Sequence, residues 1–192
     1  MIVLASKSAS RRMMLGAAGV EFDVVPAAID ERALEASLGN VPPGSVALAL
    51  AEAKALSVDG EGRPVLGSDS VVSVDGRRFD KPESRAQAAE HLRFFSGKTM
   101  ELHSAAAIAI GGHLRWSNVA VAKLRVRELS EDFITRYLAA EWPEVSQCVG
   151  VFRIEARGVQ LFESIEGDMF TVLGMPLLPV LGALRELEEL PA

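Results

Sequence analysis

Directly after Met1 the chain reads Ile2-Val3-Leu4-Ala5, apolar at every position, and a helical pattern follows almost at once. An apolar run without alternation is a strand covered on both faces. When such a strand passes through a short turn into a helix, it belongs to a sheet with helices packed on it. The opening segment therefore points to an α/β architecture. The helix is expected from about Arg11, with Ser10 as its N-cap and Met13, Met14, Leu15 and Ala18 as its apolar face. The turn and first helical residues hold Lys7, Arg11 and Arg12, with no acid before Glu21. Cations at a helix N-terminus oppose the helix dipole, at about 0.3–1 kcal/mol each when exposed. Three of them together need a compensating role.

The same rhythm runs on down the chain. Phe22-Asp23-Val24-Val25 reads as a strand, and residues 43–57, "PGSVALALAEAKALS", as a helix opened by proline. In "RPVLGSDSVVSVDG" a strand is expected to Leu66, a break at Gly67-Ser68-Asp69-Ser70, and a second strand from Val71 ending at the Asp75-Gly76 hairpin turn. Ser84 to Phe95 is amphipathic, with Ala88, Leu92 and Phe95 on one face. Residues 100–110 and 113–127 read as long strands joined at Gly111-Gly112, and Ser130 opens a capped helix with acids in its first turn. Shorter strands near 150–155 and 159–165 precede a last helix from Pro176 to Glu189. Strands alternate with helices and hairpins are interspersed, which predicts α/β with a mixed sheet. No repeat, low-complexity tract or long linker divides the chain, so residues 1–192 read as one domain.

Composition narrows the function classes. An apolar fraction of 49% and a charged fraction of 24% are those of an ordinary soluble protein. The longest apolar stretch, from Leu173 to Leu184, is too short for a membrane span and contains Pro176 and Pro179. A single cysteine, Cys148, excludes an internal disulfide and a cysteine metal cluster. With Met1 running straight into a strand, no secretory leader is expected, and the expected location is the cytoplasm. The formal net charge of −6 argues against nucleic-acid polymers as partners. A basic pocket at the start of an acidic chain suits a small polyanion better.

Five polar residues stand out. Asp69 follows a buried-looking strand within a small-residue bend, where α/β sheets commonly place chemistry; it could equally shape the turn. Lys81, fixed by Pro82 in "FDKPES", is by itself an ordinary surface lysine. Lys54 interrupts the apolar run "ALALAEAKALSV" and could snorkel to solvent or reach a phosphate. Asp30-Glu31 reads first as a helix N-terminus, with magnesium binding as the functional alternative. "SGKT" at Ser96–Thr99 imitates the end of a P-loop, but the required upstream glycine position holds Leu92 and a helix precedes it, so a P-loop is rejected. His91, His103 and His113 lack metal-ligand spacing, Cys148 has no local activating group, and the aromatics do not form a single-strand-binding pattern.

Together these segments resemble the Maf family, the septum-formation-inhibitor-like nucleotide pyrophosphatases. "LASKSASRRMML" resembles its opening Ser-x-Ser-x-x-Arg-Arg signature, and "IDE", "AEAKA", "LGSDSVVSVDG", "DKPES" and "LRFFSGKT" follow in the family's order, with "LFESIEGD" and "VLGMPL" matching its C-terminal pattern. "CVGVFRIEARGVQLFESIEG", with Glu155 where the thymidine/uridine-triphosphate branch usually has Gln, is closer to the 7-methyl-GTP pyrophosphatase branch. Ser10 and Ser70 depart from that branch, which usually has Trp and Gln there. The resemblance implies a long twisted mixed sheet flanked by helices, with two lobes around a nucleotide cleft. It implies hydrolysis of a nucleoside triphosphate to monophosphate and pyrophosphate. Asp69, Lys81 and Lys54 would be catalytic, with Asp69 as base; Ser8, Arg11 and Arg12 would bind phosphate; Ser10, Ser70 and Glu155 would bear on substrate choice. Asp69 and Glu31 would hold a divalent cation, magnesium or alternatively manganese. A homodimer is expected on family grounds alone, and a non-catalytic nucleotide-binding regulator of cell division is the alternative function. In this light the basic turn becomes a phosphate cradle, in which the helix N-terminus and arginines face an anion.

Overall fold

The structure, a computed structural model, describes residues 1–191. Its elements follow the order β1 (Ile2–Leu4), α1 (Ala9–Ala17), β2 (Phe22–Val24), α2 (Glu31–Leu38), α3 (Pro43–Leu56), β3 (Val65–Val74), β4 (Arg77–Phe79), α4 (Arg85–Phe95), β5 (Thr99–Ile110), β6 (His113–Val126), α5 (Glu131–Glu141), β7 (Phe162–Glu166), α6 (Met169–Val172) and α7 (Leu177–Glu186), with 3-10 turns at Glu144–Gln147 and Arg157–Leu161. The seven strands form one mixed sheet in the order β2-β1-β3-β5-β6-β7, with β4 paired to β3. β1 runs parallel to β2 and β3, while β3–β4 and β6–β7 are antiparallel. The predicted α/β class with a mixed sheet is what the chain adopts.

Several helices start where the sequence supplies a side-chain acceptor, whereas α3 and α7 follow a proline. Ser84 Oγ accepts from Gln87 N at 3.1 Å, Ser130 Oγ from Phe133 N at 3.1 Å and Asp30 Oδ1 from Ala33 N at 2.9 Å. Ser8, rather than Ser10, caps α1. The helix therefore begins two residues earlier than its apolar pattern suggests. Its buried stripe is Arg11, Met14 and Leu15, whereas Met13 is half-exposed.

The chain divides into two compact units, residues 1–70, 103–121 and 168–192 in the first, 71–102 and 122–167 in the second. In the first, Leu4, Leu66 and Ile108 pack with Met14 and Leu15 of α1 and Val180 and Leu184 of α7. The other face of the same strands buries Val3, Ala5 and Val65 against Val58. In the second, Phe79 meets His91 and Phe95 edge-on at centroid distances of 5.1 and 4.7 Å.

Two expectations about strands fail. β3 is continuous through Gly67-Ser68-Asp69-Ser70, so no bend separates two strands and Asp69 sits mid-strand. Gly67 marks a close approach instead of a turn: a Cβ there would lie 2.2 Å from Ala51 O and 2.5 Å from Ala55 N, so the backbone of α3 rests directly on the strand. Residues 150–155 make no strand. Gly150 and Val151 turn at φ +82° and +60°, and Val151 and Phe152 are buried without joining the sheet. Among the described residues no helix is long and apolar enough to cross a membrane.

Candidate active site

Helical period places Lys54 on the buried stripe of α3, one turn beyond Leu50 and Ala51, and only 8% of the residue is exposed. A lysine so deeply placed must be paired. Its Nζ lies 2.5 Å from Asp69 Oδ1 and 2.9 Å from Glu31 Oε1. The snorkelling alternative is thereby excluded, and Asp69 is no turn residue. Asp30 caps α2 as the helix-start reading expected, which leaves Glu31 in the first turn free to reach Lys54. Three charged groups from α2, α3 and β3 thus meet at one point, and one ammonium does not neutralise two carboxylates.

Carboxylates that converge on a single cationic point are the donors a magnesium ion uses when phosphates and water complete its shell. Among the described residues no cluster of three or more His, Cys, Asp or Glu is arranged to hold a metal by protein groups alone. Asp69 and Glu31 are the two carboxylates at this point that could hold a cation, and both are paired with Lys54 here.

The turn before α1 presents exposed Lys7 and the N-cap Ser8, and the first turns of α1 present half-exposed Ser10 and exposed Arg12. Ser8 N donates to Ser6 Oγ at 3.2 Å, and Ser8 Oγ accepts from Arg11 N at 3.5 Å, which fixes the helix start. Arg11 differs from its neighbour. Its guanidinium turns inward and donates from Nε to Gly174 O at 3.0 Å, from Nη1 to Ser68 O at 2.8 Å and Ser6 Oγ at 3.2 Å, and from Nη2 to Ser70 Oγ at 3.3 Å. Burial lowers its pKa, with Asp69 and then Glu31 opposing that shift by charge. Ser70 also turns inward: its hydroxyl lies 3.0 Å from both Ser104 Oγ and Gly174 O.

Lys81 and Glu155 belong to the second unit and are exposed, and both act electrostatically on Cys148. Burial, then Glu155, push the Cys148 thiol up, away from a reactive thiolate, with Arg153 and Lys81 opposing. The "SGKT" groups are engaged internally: Lys98 pairs with Asp75 at 3.0 Å and lies 3.6 Å from the Phe94 ring centroid, and Ser96 Oγ accepts from Leu129 N at 2.7 Å.

The first unit therefore gathers Ser8, Ser10, Arg11, Arg12, Glu31, Lys54, Asp69 and Ser70, and the second contains Lys81 and Glu155. Sequence reading missed Ser68, Ser104 and Gly174, the inner partners of Arg11 and Ser70. The available signal was a run of small residues facing the arginine's side of β3.

Residues 1–187 match the family model described as Maf-like protein. A protein of Nitrobacter hamburgensis named nucleoside triphosphate pyrophosphatase is 46% identical, over 96% of this chain and 92% of its own length. A Rhizobium etli protein named 7-methyl-GTP pyrophosphatase is 47% identical, over 97% of this chain and 96% of its own. Among solved structures, a HAM1 protein from Coxiella burnetii aligns at 19% identity and a TM-score of 0.42 over 65% of this chain and 72% of its own, too distant to bear on the site. With the match running nearly end to end, the chain belongs to the Maf family.

Proposed function

We propose that the chain hydrolyses the α–β phosphoanhydride of a nucleoside triphosphate, a modified one such as 7-methyl-GTP, to nucleoside monophosphate and pyrophosphate. The observation that carries this reading is the buried Lys54 ammonium held between Asp69 and Glu31, in a chain 46–47% identical to relatives with pyrophosphatase names. Asp69 accepts a proton from water as the water oxygen bonds to the α-phosphorus. The bond to the bridging oxygen breaks, and that oxygen leaves with pyrophosphate. Aspartate is a weak base, so placement must contribute most of what the side chain adds. Arg12 binds the triphosphate, and Lys54 offsets charge gathering on the leaving group. Ser8 and Ser10 contact phosphate or sugar at the N-terminus of α1. Asp69 and Glu31 hold magnesium or manganese, which when bound neutralises phosphate charge. Base choice falls to the surroundings of Ser70.

Product analysis tests the reading directly. Purified protein with Mg²⁺ is given 7-methyl-GTP, GTP, CTP, UTP and dTTP. Monophosphate with pyrophosphate is expected, fastest from 7-methyl-GTP, with Asp69→Asn losing turnover while still binding nucleotide. Orthophosphate alone, or no turnover, would refute it.

A further inference from the structure

Successive side chains of a strand point to opposite faces, so the two faces of β3 do different things around Asp69. Asp69 faces α3 and Lys54. Ser68 and Ser70 face the other way, into a polar network that carries no carboxylate of the proposed centre. At its middle is Gly174 O, which accepts from Arg11 Nε at 3.0 Å and Ser70 Oγ at 3.0 Å. Ser68 Oγ, donating to Ala105 O at 2.7 Å, leans toward the same carbonyl at 3.3 Å. Ser104 Oγ, 3.0 Å from Ser70 Oγ, donates to Thr171 O of α6 at 2.8 Å. Gly174 itself stands at φ +101°, a conformation that side chains rarely adopt, and a Cβ there would lie 3.3 Å from Ser70 Oγ.

We propose that Arg11 is a positioning residue: by gripping Ser68 O, Ser70 Oγ and Gly174 O from behind β3, it holds the strand segment that aims Asp69, and it does not bind the phosphate chain. The planar guanidinium suits this task because its fork of donors is fixed and reaches three divergent acceptors at once. Its exposed neighbour Arg12 is the arginine available to an anion. The same network removes Ser70 from direct base recognition, since its hydroxyl already accepts from Arg11 and donates to Gly174 O, with Ser104 Oγ 3.0 Å away. Substrate choice at that position would then act through the placement of β3 and of the 171–175 turn.

The inference rests on Asp69 being the base, so the experiment separates the two ideas. Arg11→Lys, which keeps the charge and loses the fork, and Ser104→Ala, a change at a fully buried site, are compared with wild type. Three quantities are read: kcat and KM with Mg²⁺ and 7-methyl-GTP, the Kd of inorganic pyrophosphate by calorimetry, and amide exchange over residues 68–70 and 171–175. A displacement of about 1 Å at a reacting group costs about 100-fold in rate. The expected result is a kcat loss of about 10- to 100-fold for Arg11→Lys and a smaller one for Ser104→Ala, by the same geometric argument. Pyrophosphate Kd should stay unchanged, and both segments should lose exchange protection. A weakened pyrophosphate Kd with kcat preserved would overturn the proposal and return Arg11 to the phosphate. If wild type shows no turnover, the pyrophosphatase reading falls and exchange alone decides: unchanged protection in both variants would overturn the clamp.

Discussion

Gly67→Ala is the sharpest perturbation of the centre that leaves every charged group in place. The new Cβ would stand 2.2 Å from Ala51 O, 2.5 Å from Ala55 N and 3.0 Å from Ala55 Cα, all backbone atoms of α3. Ordinary contact begins at 3.4 Å, so the helix and strand must separate by about 1.2 Å at this point. No rotamer change relieves the contact, and trimming side chains on α3 cannot rescue it. Lys54 is the residue before Ala55, and Asp69 is two residues beyond Gly67. If the displacement is transmitted, the 2.5 Å Lys54–Asp69 contact lengthens beyond hydrogen-bonding reach. Overpacking of this kind costs about 1–3 kcal/mol of stability. A shift of about 1 Å at the reacting group lowers turnover about 100-fold. Urea denaturation and kcat for the best nucleotide measure the two effects on one preparation. Gly182→Ala is the matched control, since it lies in α7 with nothing within 4 Å of its added Cβ and should stabilise by up to about 1 kcal/mol. If Gly67→Ala remained within about 0.5 kcal/mol of wild type, the range of an ordinary surface change, and kept its kcat, the close packing of α3 on β3 would not be what sets Lys54 against Asp69.

Glu31→Gln, at a side chain half-exposed to solvent, should change stability by less than about 1 kcal/mol yet weaken Mn²⁺ binding followed by electron paramagnetic resonance; unchanged Mn²⁺ binding would remove Glu31 as a ligand. In the second unit, Glu141 is 3% exposed and accepts from Arg153 Nε at 3.1 Å and Nη2 at 2.9 Å, so Arg153→Met strands a buried carboxylate and should cost about 3–5 kcal/mol. Glu141→Gln should cost less, because the Arg153 side chain is a third exposed and can turn to water; equal losses in urea would refute that asymmetry. Among the described residues His91 Nδ1 is buried without a hydrogen-bond partner, and burial, then Arg77, lower the pKa of the imidazole, with Glu90 and Asp80 opposing. A depressed histidine pKa contributes stability above its unfolded value of about 6.5 and loses it as pH falls below. His91→Phe should therefore flatten the fall in urea midpoint between pH 7.5 and 5.5, and an unchanged slope would exonerate His91.

How much of this was legible depends on which physical rule governed each residue. Caps were readable at Ser84, Ser130 and Asp30, because a side-chain oxygen three residues before an orphan amide needs no tertiary information. Lys54 was half-readable. Its place among apolar residues was plain, but whether a long side chain snorkels or pairs depends on which acids the fold brings near. Asp69 drew attention for a mistaken reason: a glycine in a strand was read as a bend when it was a seat for a neighbouring helix. Backbone approach leaves the same one-letter trace as a turn. The burial of Arg11 was legible, although the sequence reading assigns the residue to phosphate. Counting by helical period from Met14 and Leu15 places it on their face, and a charge on a buried face must find partners within the fold. The sequence reading places Met13 in the core and gives Arg11, with Arg12, to phosphate, because residue type outweighs spacing there. Two adjacent arginines in one basic signature therefore divide by geometry: Arg12 meets solvent, while Arg11 holds β3 from behind.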